Sequence, residues 1–371
     1  MFLLLAEALS DFPLVNAFTY TTTRALLGFL TSFALSLAFG SRVFKWLYLK
    51  GYKDYPRAYG QDKVGSKKFT PTMGGILIAL TALGSMFLWS DLTSPRVWIV
   101  LTSVLVFGAV GYLDDTAKKV AQSADGGISR LAKLIPQTLF GAFLGLCAWF
   151  NWFDIFPMVD GESFGTAILV PFYKAPFMHL VGILMVLFGA AWSIGISNAV
   201  NYTDGLDGML SVPAFFCFLV LGLYAFVMGN ANISEYLLFP FLSGVNELSV
   251  LCSIFMGCCL GFLWFNSFPA DVFMGDFGSL LLGGVLMTIA FLLHQEVILL
   301  ISGGIFLFQF FTSAIQDYYF FKFKGQRYFR SAPFHEGLVK SYKMAEAKIV
   351  VRYWIVSAIL AAFCLVVMKI R

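Results

Sequence analysis

The stretch Val97–Asp115, VWIVLTSVLVFGAVGYLDD, decides the fold class. Its first seventeen residues carry no charge. At 1.5 Å rise per residue, such a run crosses most of a hydrocarbon core about 30 Å thick. Two adjacent carboxylates then close it. Carboxylates at the edge of a bilayer are costly unless they face water, a partner or a cation, so Asp114 and Asp115 mark a functional site by default.

The rest of the chain repeats the first half of that pattern. Of 371 residues, 59% are apolar, 18% aromatic and only 12% charged. Soluble domains average about 45–50% apolar and about 25% charged, which excludes an ordinary soluble fold. The sequence reads as an all-α integral membrane protein of one domain, 1–371, with ten transmembrane helices. They fall near 24–47, 72–89, 97–113, 131–150, 177–196, 208–228, 248–266, 278–293, 298–320 and 349–368. The opening MFLLLAEAL is short, acidic and without a basic flank, so it does not read as a cleaved signal.

Lysine and arginine set the orientation. All but five of the 25 lie in or beside the loops after spans 1, 3 and 9; the exceptions are Arg24, Arg96, Lys174, Lys369 and Arg371. The positive-inside rule then puts both termini outside and the basic loop 321–348 in the cytoplasm. The net charge of +4 is thus spent on topology and calls for no nucleic-acid partner. Segment 151–176 becomes external, with a short hairpin expected around Thr166 to Tyr173. The six cysteines all lie in apolar runs without zinc-site spacing, and read as small buried hydrophobes.

In this topology the unusual polar groups meet on one face. Asn198-Ala-Val-Asn201-Tyr-Thr-Asp204-Gly-Leu-Asp207-Gly follows span 5. Asn266 to Asp276 follows span 7, and the turn-like Thr70 to Gly75 follows span 1. Each has a plain reading. Asn and Gly make turns, Asp276 suits a helix cap, and Lys67, Lys68 and Lys133 serve topology. Yet Asp114 and Asp115 at a helix C-terminus oppose the helix dipole and each other, and a cation relieves both. Carboxylates and amides near a face open to phosphates suit Mg²⁺. His335 is the one histidine expected on this side, while His179 and His294 fall on the outer interface.

Five segments in this order, TPTMGG, GYLDD, NAVNYTDGLDG, FNSFPADVFMGDFGS and GQRYFRSAPFH, resemble the phospho-MurNAc-pentapeptide translocases. These belong to the polyprenyl-phosphate N-acetylhexosamine-1-phosphate transferase superfamily. The resemblance runs from about Thr19 to Trp354. It implies ten helices, a homodimer in the bacterial cytoplasmic (inner) membrane, and a cytoplasmic-facing active site with Mg²⁺. It also implies the substrates UDP-MurNAc-pentapeptide and undecaprenyl phosphate, a membrane lipid, with lipid I and UMP as products. By resemblance Asp114, Asp115, Asp276, Lys67, Lys133 and His335 are catalytic. Asn201, Asp204, Asp207, Asn266, Phe273, Gly275 and Gln316 bind substrate, with Phe273 stacking on uridine. Asp276 is the metal ligand and Asn201 a second one.

Two departures stand out. His335-Glu336-Gly337 replaces a run of three histidines, and Phe69 replaces a common glycine. The first keeps a UDP-GlcNAc:polyprenyl-phosphate transferase open as an alternative. Two other classes fit less well. A secondary transporter would place its ion sites near the bilayer midplane, often with repeat symmetry. A scaffold without activity would have no need of every acid.

Overall fold

The computed structural model describes residues 1–3, 16–53, 70–156, 158–159, 162–323, 325–326, 328–329 and 331–370. Lys67 lies outside the described residues. Among the described residues the fold is helical apart from two small ladders and one isolated bridge: α1 (Thr21–Leu49), α2 (Gly75–Trp89), α3 (Pro95–Ala121), α4 (Arg130–Phe150), α5 (Ile183–Asn201), α6 (Ser211–Met228), α7 (Ala231–Leu237), α8 (Glu247–Asn266), α9 (Gly275–Leu292), α10 (Glu296–Ser302), α11 (Gly304–Lys322), α12 (Phe334–Lys340) and α13 (Glu346–Ile370).

Eight of these helices are long and apolar enough to cross a membrane, so the chain is a multi-pass membrane protein. Helices α10 and α11 are bent by 80° against each other and make a ninth crossing only if taken as one span. The expected span 298–320 thus falls on a bent pair: the helix breaks at Gly303-Gly304, where missing side chains weaken it. Helix α2 has 15 residues, short of the roughly 20 a full crossing needs.

Small residues decide which helices touch. Lipid tails are as apolar as leucine, so close backbone packing rather than hydrophobicity joins spans. On α1, Gly28, Ser32, Ser36 and Gly40 recur every fourth residue and are buried. Ser32 Oγ donates to the Ile254 carbonyl of α8 at 2.8 Å. Cβ atoms built on Gly257 and Gly261 of α8 would strike Ser32 and Ser36. At the end of the bundle away from the acids, a buried Arg24–Glu247 ion pair ties α1 to α8. Arg24 also donates to the Trp89 carbonyl after α2 at 3.1 Å.

Helix α9 is the axis. Every residue from Gly278 to Leu292 is buried, and α2, α3 and α5 pack around it. The site grows from its N-terminal end.

Segment 151–176 and the residues just after it hold two ladders of two residues per strand, the second closing beyond the expected Thr166 to Tyr173. Strand β1 (Met158–Val159) pairs with β2 (Glu162–Ser163), and β3 (Ala167–Ile168) with β4 (Met178–His179), both antiparallel. This segment closes over His294. That histidine is fully buried between Phe156 and Phe164, with ring centroids 5.0 and 5.2 Å away. Burial pushes its pKa down to about 3. His179 is exposed. All six cysteines are free and buried.

Candidate active site

Helix α3 continues to Ala121, two turns beyond the acids, ending in a left-handed cap at Gln122. Asp114 and Asp115 are therefore not at a helix C-terminus, and the dipole argument made from sequence does not apply. What remains is crowding. Asp114 and Asp115 are buried, and each offers an oxygen that, with one from Asp276, lies in a group spanning no more than 4.8 Å. At about 4 Å and an effective dielectric of about 20, two like charges repel by about 4 kcal/mol. Three carboxylates this close need cations or dipoles between them.

The structure supplies both. Lys118 Nζ lies 2.7 Å from Asp114 Oδ2, 3.1 Å from Asp276 Oδ2 and 3.9 Å from Asp115 Oδ1. Lys133 Nζ lies 2.7 Å from Asp276 Oδ2 and 3.0 Å from Asp114 Oδ2. The dipole comes from α9. Asp115 Oδ1 accepts the Asp276 N–H at 3.2 Å, and Oδ2 accepts the Phe277 N–H at 3.0 Å. These are orphan donors of a helix N-terminus, satisfied here from a neighbouring helix. Asp115, not Asp276, is thus the cap of α9. Asp114 Oδ1 accepts the Ile128 N–H at 2.9 Å, which pins the loop leading to Lys133.

Close approach makes this possible. A Cβ on Gly111 would lie 2.4 Å from the Asp276 carbonyl oxygen, and one on Gly75 would lie 2.1 Å from Gly278 Cα. Without those glycines, α2, α3 and the start of α9 could not converge. Gly275 turns the chain into α9 with φ +75, a conformation costly for other residues.

The other segments join the same end. Gly74 N–H donates to the Phe273 carbonyl and Phe273 N–H to the Pro71 carbonyl, both at 2.8 Å. The Thr70–Gly75 turn is thereby stitched to the loop holding Phe273 and Gly275. Phe273 itself is half-buried. Asn201 Nδ2 donates to Asp276 Oδ1 at 3.2 Å and to Ser279 Oγ at 2.8 Å. Its nitrogen, rather than its oxygen, faces Asp276. Asn266 is buried and braces two loops, accepting from Gly208 N and donating to the Val272 carbonyl. Asp207 accepts the Ala270 N–H at 3.2 Å. Crowding raises the Asp204 pKa to about 8, through burial first and then the charges of Asp276, Asp115 and Asp207.

His335 is buried and lies on the Asp204–Asp207 loop: a Cβ on Gly205 would fall 1.9 Å from its Nε2. Gln316 Oε1 accepts the Phe329 N–H at 2.8 Å, so that contact holds the loop after α11.

Sequence reasoning missed Lys118, counting it only toward topology. The signal was present, since Lys118 follows Asp114 by four residues and Asp115 by three on one helix face. It also passed over Gly75, Gly111 and Gly278, whose roles appear only once the helices are packed.

A hard, six-coordinate cation takes oxygen ligands, usually one or two carboxylates plus phosphates. The donor set of Asp114, Asp115 and Asp276 fits Mg²⁺ in kind. The two ammonium groups already among these oxygens show that the place attracts positive charge.

The family model described as Glycosyl transferase family 4 matches residues 97–294, more than half of the chain. The match includes Asp114, Asp115, Lys118, Lys133, the 201–207 loop and Asp276.

Proposed function

The chain belongs to glycosyl transferase family 4, and on that footing we propose that it transfers phospho-MurNAc-pentapeptide from UDP-MurNAc-pentapeptide to undecaprenyl phosphate, yielding lipid I and UMP. Transfer of a phosphosugar from a nucleotide sugar to a polyprenyl phosphate is the family's reaction. The observation that carries the proposal is the gathering of Asp114, Asp115 and Asp276 around Lys118 and Lys133, beside the Asp204–Asp207 loop. The five motifs quoted above supply the choice of sugar.

In this reading Mg²⁺ is held by Asp276 with Asp114 and Asp115, and when bound it supplies charge neutralisation to the diphosphate and the departing UMP. Lys118 and Lys133 stabilise negative charge developing on phosphate oxygens; Lys67 has the same role by resemblance. An oxygen of the lipid phosphate attacks the phosphorus next to the sugar, and the bond from that phosphorus to UMP breaks. Asp114 takes the proton of any monoanionic lipid phosphate, a minor fraction at pH 7 because the second pKa is about 6. Direct attack is favoured over a phosphoryl-aspartate. A carboxylate given over to a metal ion is a poor nucleophile, and Asp276 is the carboxylate this reading assigns to the metal. Phe273 stacks on the uracil. Asn201 fixes Asp276, while Asp204, Asp207, Asn266, Gly275, Gln316 and His335 shape the donor pocket. The proposal places the site on the cytoplasmic side of the bacterial inner membrane, in a homodimer of ten-span subunits with both termini outside.

A second reading is a UDP-GlcNAc:polyprenyl-phosphate transferase, favoured by His335-Glu336-Gly337 in place of three histidines. The test is UMP release by detergent-purified protein with undecaprenyl phosphate and Mg²⁺. The two UDP-sugars are run side by side, with EDTA and Asp276→Asn as controls. Turnover of the pentapeptide donor alone, abolished by either control, is the expected result. Turnover of UDP-GlcNAc alone assigns the second reading.

A further inference from the structure

His335 sits on a helix of seven residues, α12, too short to hold a ring rigidly by itself. Its orientation comes from two long helices. Nδ1 lies 3.2 Å from Oε1 of Gln309, a fully buried residue on α11. Gln309 Nε2 donates in turn to the hydroxyl of Tyr353 on α13. That second bond anchors the amide, whose oxygen end faces the histidine. With oxygen facing it, Nδ1 carries the proton, and a neutral ring leaves Nε2 as an acceptor. Nε2 is the atom turned toward Gly205. Helix α13 also grips the other end of the same loop, because Trp354 Nε1 donates to the Gly208 carbonyl at 3.1 Å.

We propose that Gln309, anchored by Tyr353, is a positioning residue that sets the tautomer and aim of His335 over the Asp204–Asp207 loop, where the nucleotide-sugar is received. The inference rests on the proposed reading of that loop as the donor pocket. Gln309 belongs to none of the five motifs. The amide of Gln309 has one outcome that counts: an acceptor toward Nδ1. Glutamate at this position keeps an acceptor there and takes the Tyr353 O–H as donor. Leucine of similar length keeps neither bond.

The test has two arms, one independent of turnover. In ¹⁵N-histidine NMR of the detergent-solubilised protein, with His335→Ala used to assign the signal, neutral His335 is expected as the Nδ1–H tautomer. Gln309→Leu should shift it toward Nε2–H. A wild-type ring protonated at Nε2, or a signal unmoved in Gln309→Leu, overturns the inference. In the kinetic arm, Gln309→Leu should lower kcat roughly 10- to 100-fold, by analogy with the loss when a metal-bound histidine forfeits its hydrogen-bond partner. Gln309→Glu should stay within a few fold of wild type, and Tyr353→Phe should fall between. In a His335→Ala background, Gln309→Leu should cost nothing further, since it acts through the ring. Additive losses overturn the inference by making Gln309 a general packing residue. The kinetic arm uses whichever UDP-sugar the wild type turns over. A wild type inert toward every UDP-sugar defeats the proposed function, while the tautomer arm still decides the role of Gln309.

Discussion

Lys118 shows how much one side chain can do at a crowded site. It touches Asp114 and Asp276 within 3.1 Å, and its side chain is only 26% exposed. Breaking a buried ion pair typically costs about 3–5 kcal/mol; partial exposure of the lysine discounts this to about 2–3 kcal/mol. Lys118→Met is therefore expected to lower the Tm in detergent and to slow UMP release. Added Mg²⁺ should recover more Tm in the variant than in wild type, because three carboxylates are left with one ammonium. An unaltered melting curve would show that Lys118 contributes no net stabilisation. Phe273 is tested differently. Aromatic stacking on a base is worth about 1–3 kcal/mol, so Phe273→Ala should raise KM for the nucleotide sugar by roughly 5- to 150-fold with kcat less affected. A KM that stays put would move the uracil to another wall of the pocket.

At the scale of elements, the site depends on how closely helices approach. Gly111 brings α3 against the first turn of α9, which lets Asp115 reach two backbone N–H groups there. Gly111→Ala puts a methyl 2.4 Å from a carbonyl oxygen that belongs to backbone and has little room to yield. Overpacking of this kind usually costs about 1–3 kcal/mol. Activity should fall by more than stability suggests, since the displaced end of α9 carries Asp276. Thermal unfolding and UMP release measured on the same preparation separate the two effects. Equal activity to wild type would mean that α9 shifts as a rigid body without opening the acid cluster.

For the whole molecule the open quantity is sidedness. The acid cluster and the Asp204 loop lie at one end of the bundle, and the Arg24–Glu247 pair and the small ladders at the other. Lys174 is exposed near the ladders, and Asp125 is exposed in the loop that pins Asp114. All six native cysteines are buried, so an introduced thiol gives a clean signal. In right-side-out vesicles, Lys174→Cys should react with a membrane-impermeant maleimide and Asp125→Cys only after the membrane is permeabilised. The reverse pattern would invert the topology and place the site on the outer face.

Local chemistry in this chain is written plainly. Uninterrupted apolar runs declare membrane helices because backbone groups in lipid must be satisfied within the segment. Acids at the ends of such runs declare a site because charge there needs a reason. Sequence order was enough to direct attention to Asp114, Asp115, Asp276 and the 201–207 loop, and the i+4 spacing from Asp114 would have added Lys118. Other features had no local signature. The burial of His294 and the cap that Asp115 provides to α9 depend on which helix lies against which. So does the Tyr353–Gln309–His335 chain, whose bonded members are 44 and 26 residues apart along the sequence. Apolar runs look alike to lipid, so hydrophobicity specifies that these helices cross a membrane but not which ones meet. That choice was made by glycines and serines whose value is an absence of bulk, visible only when a second helix fills the space.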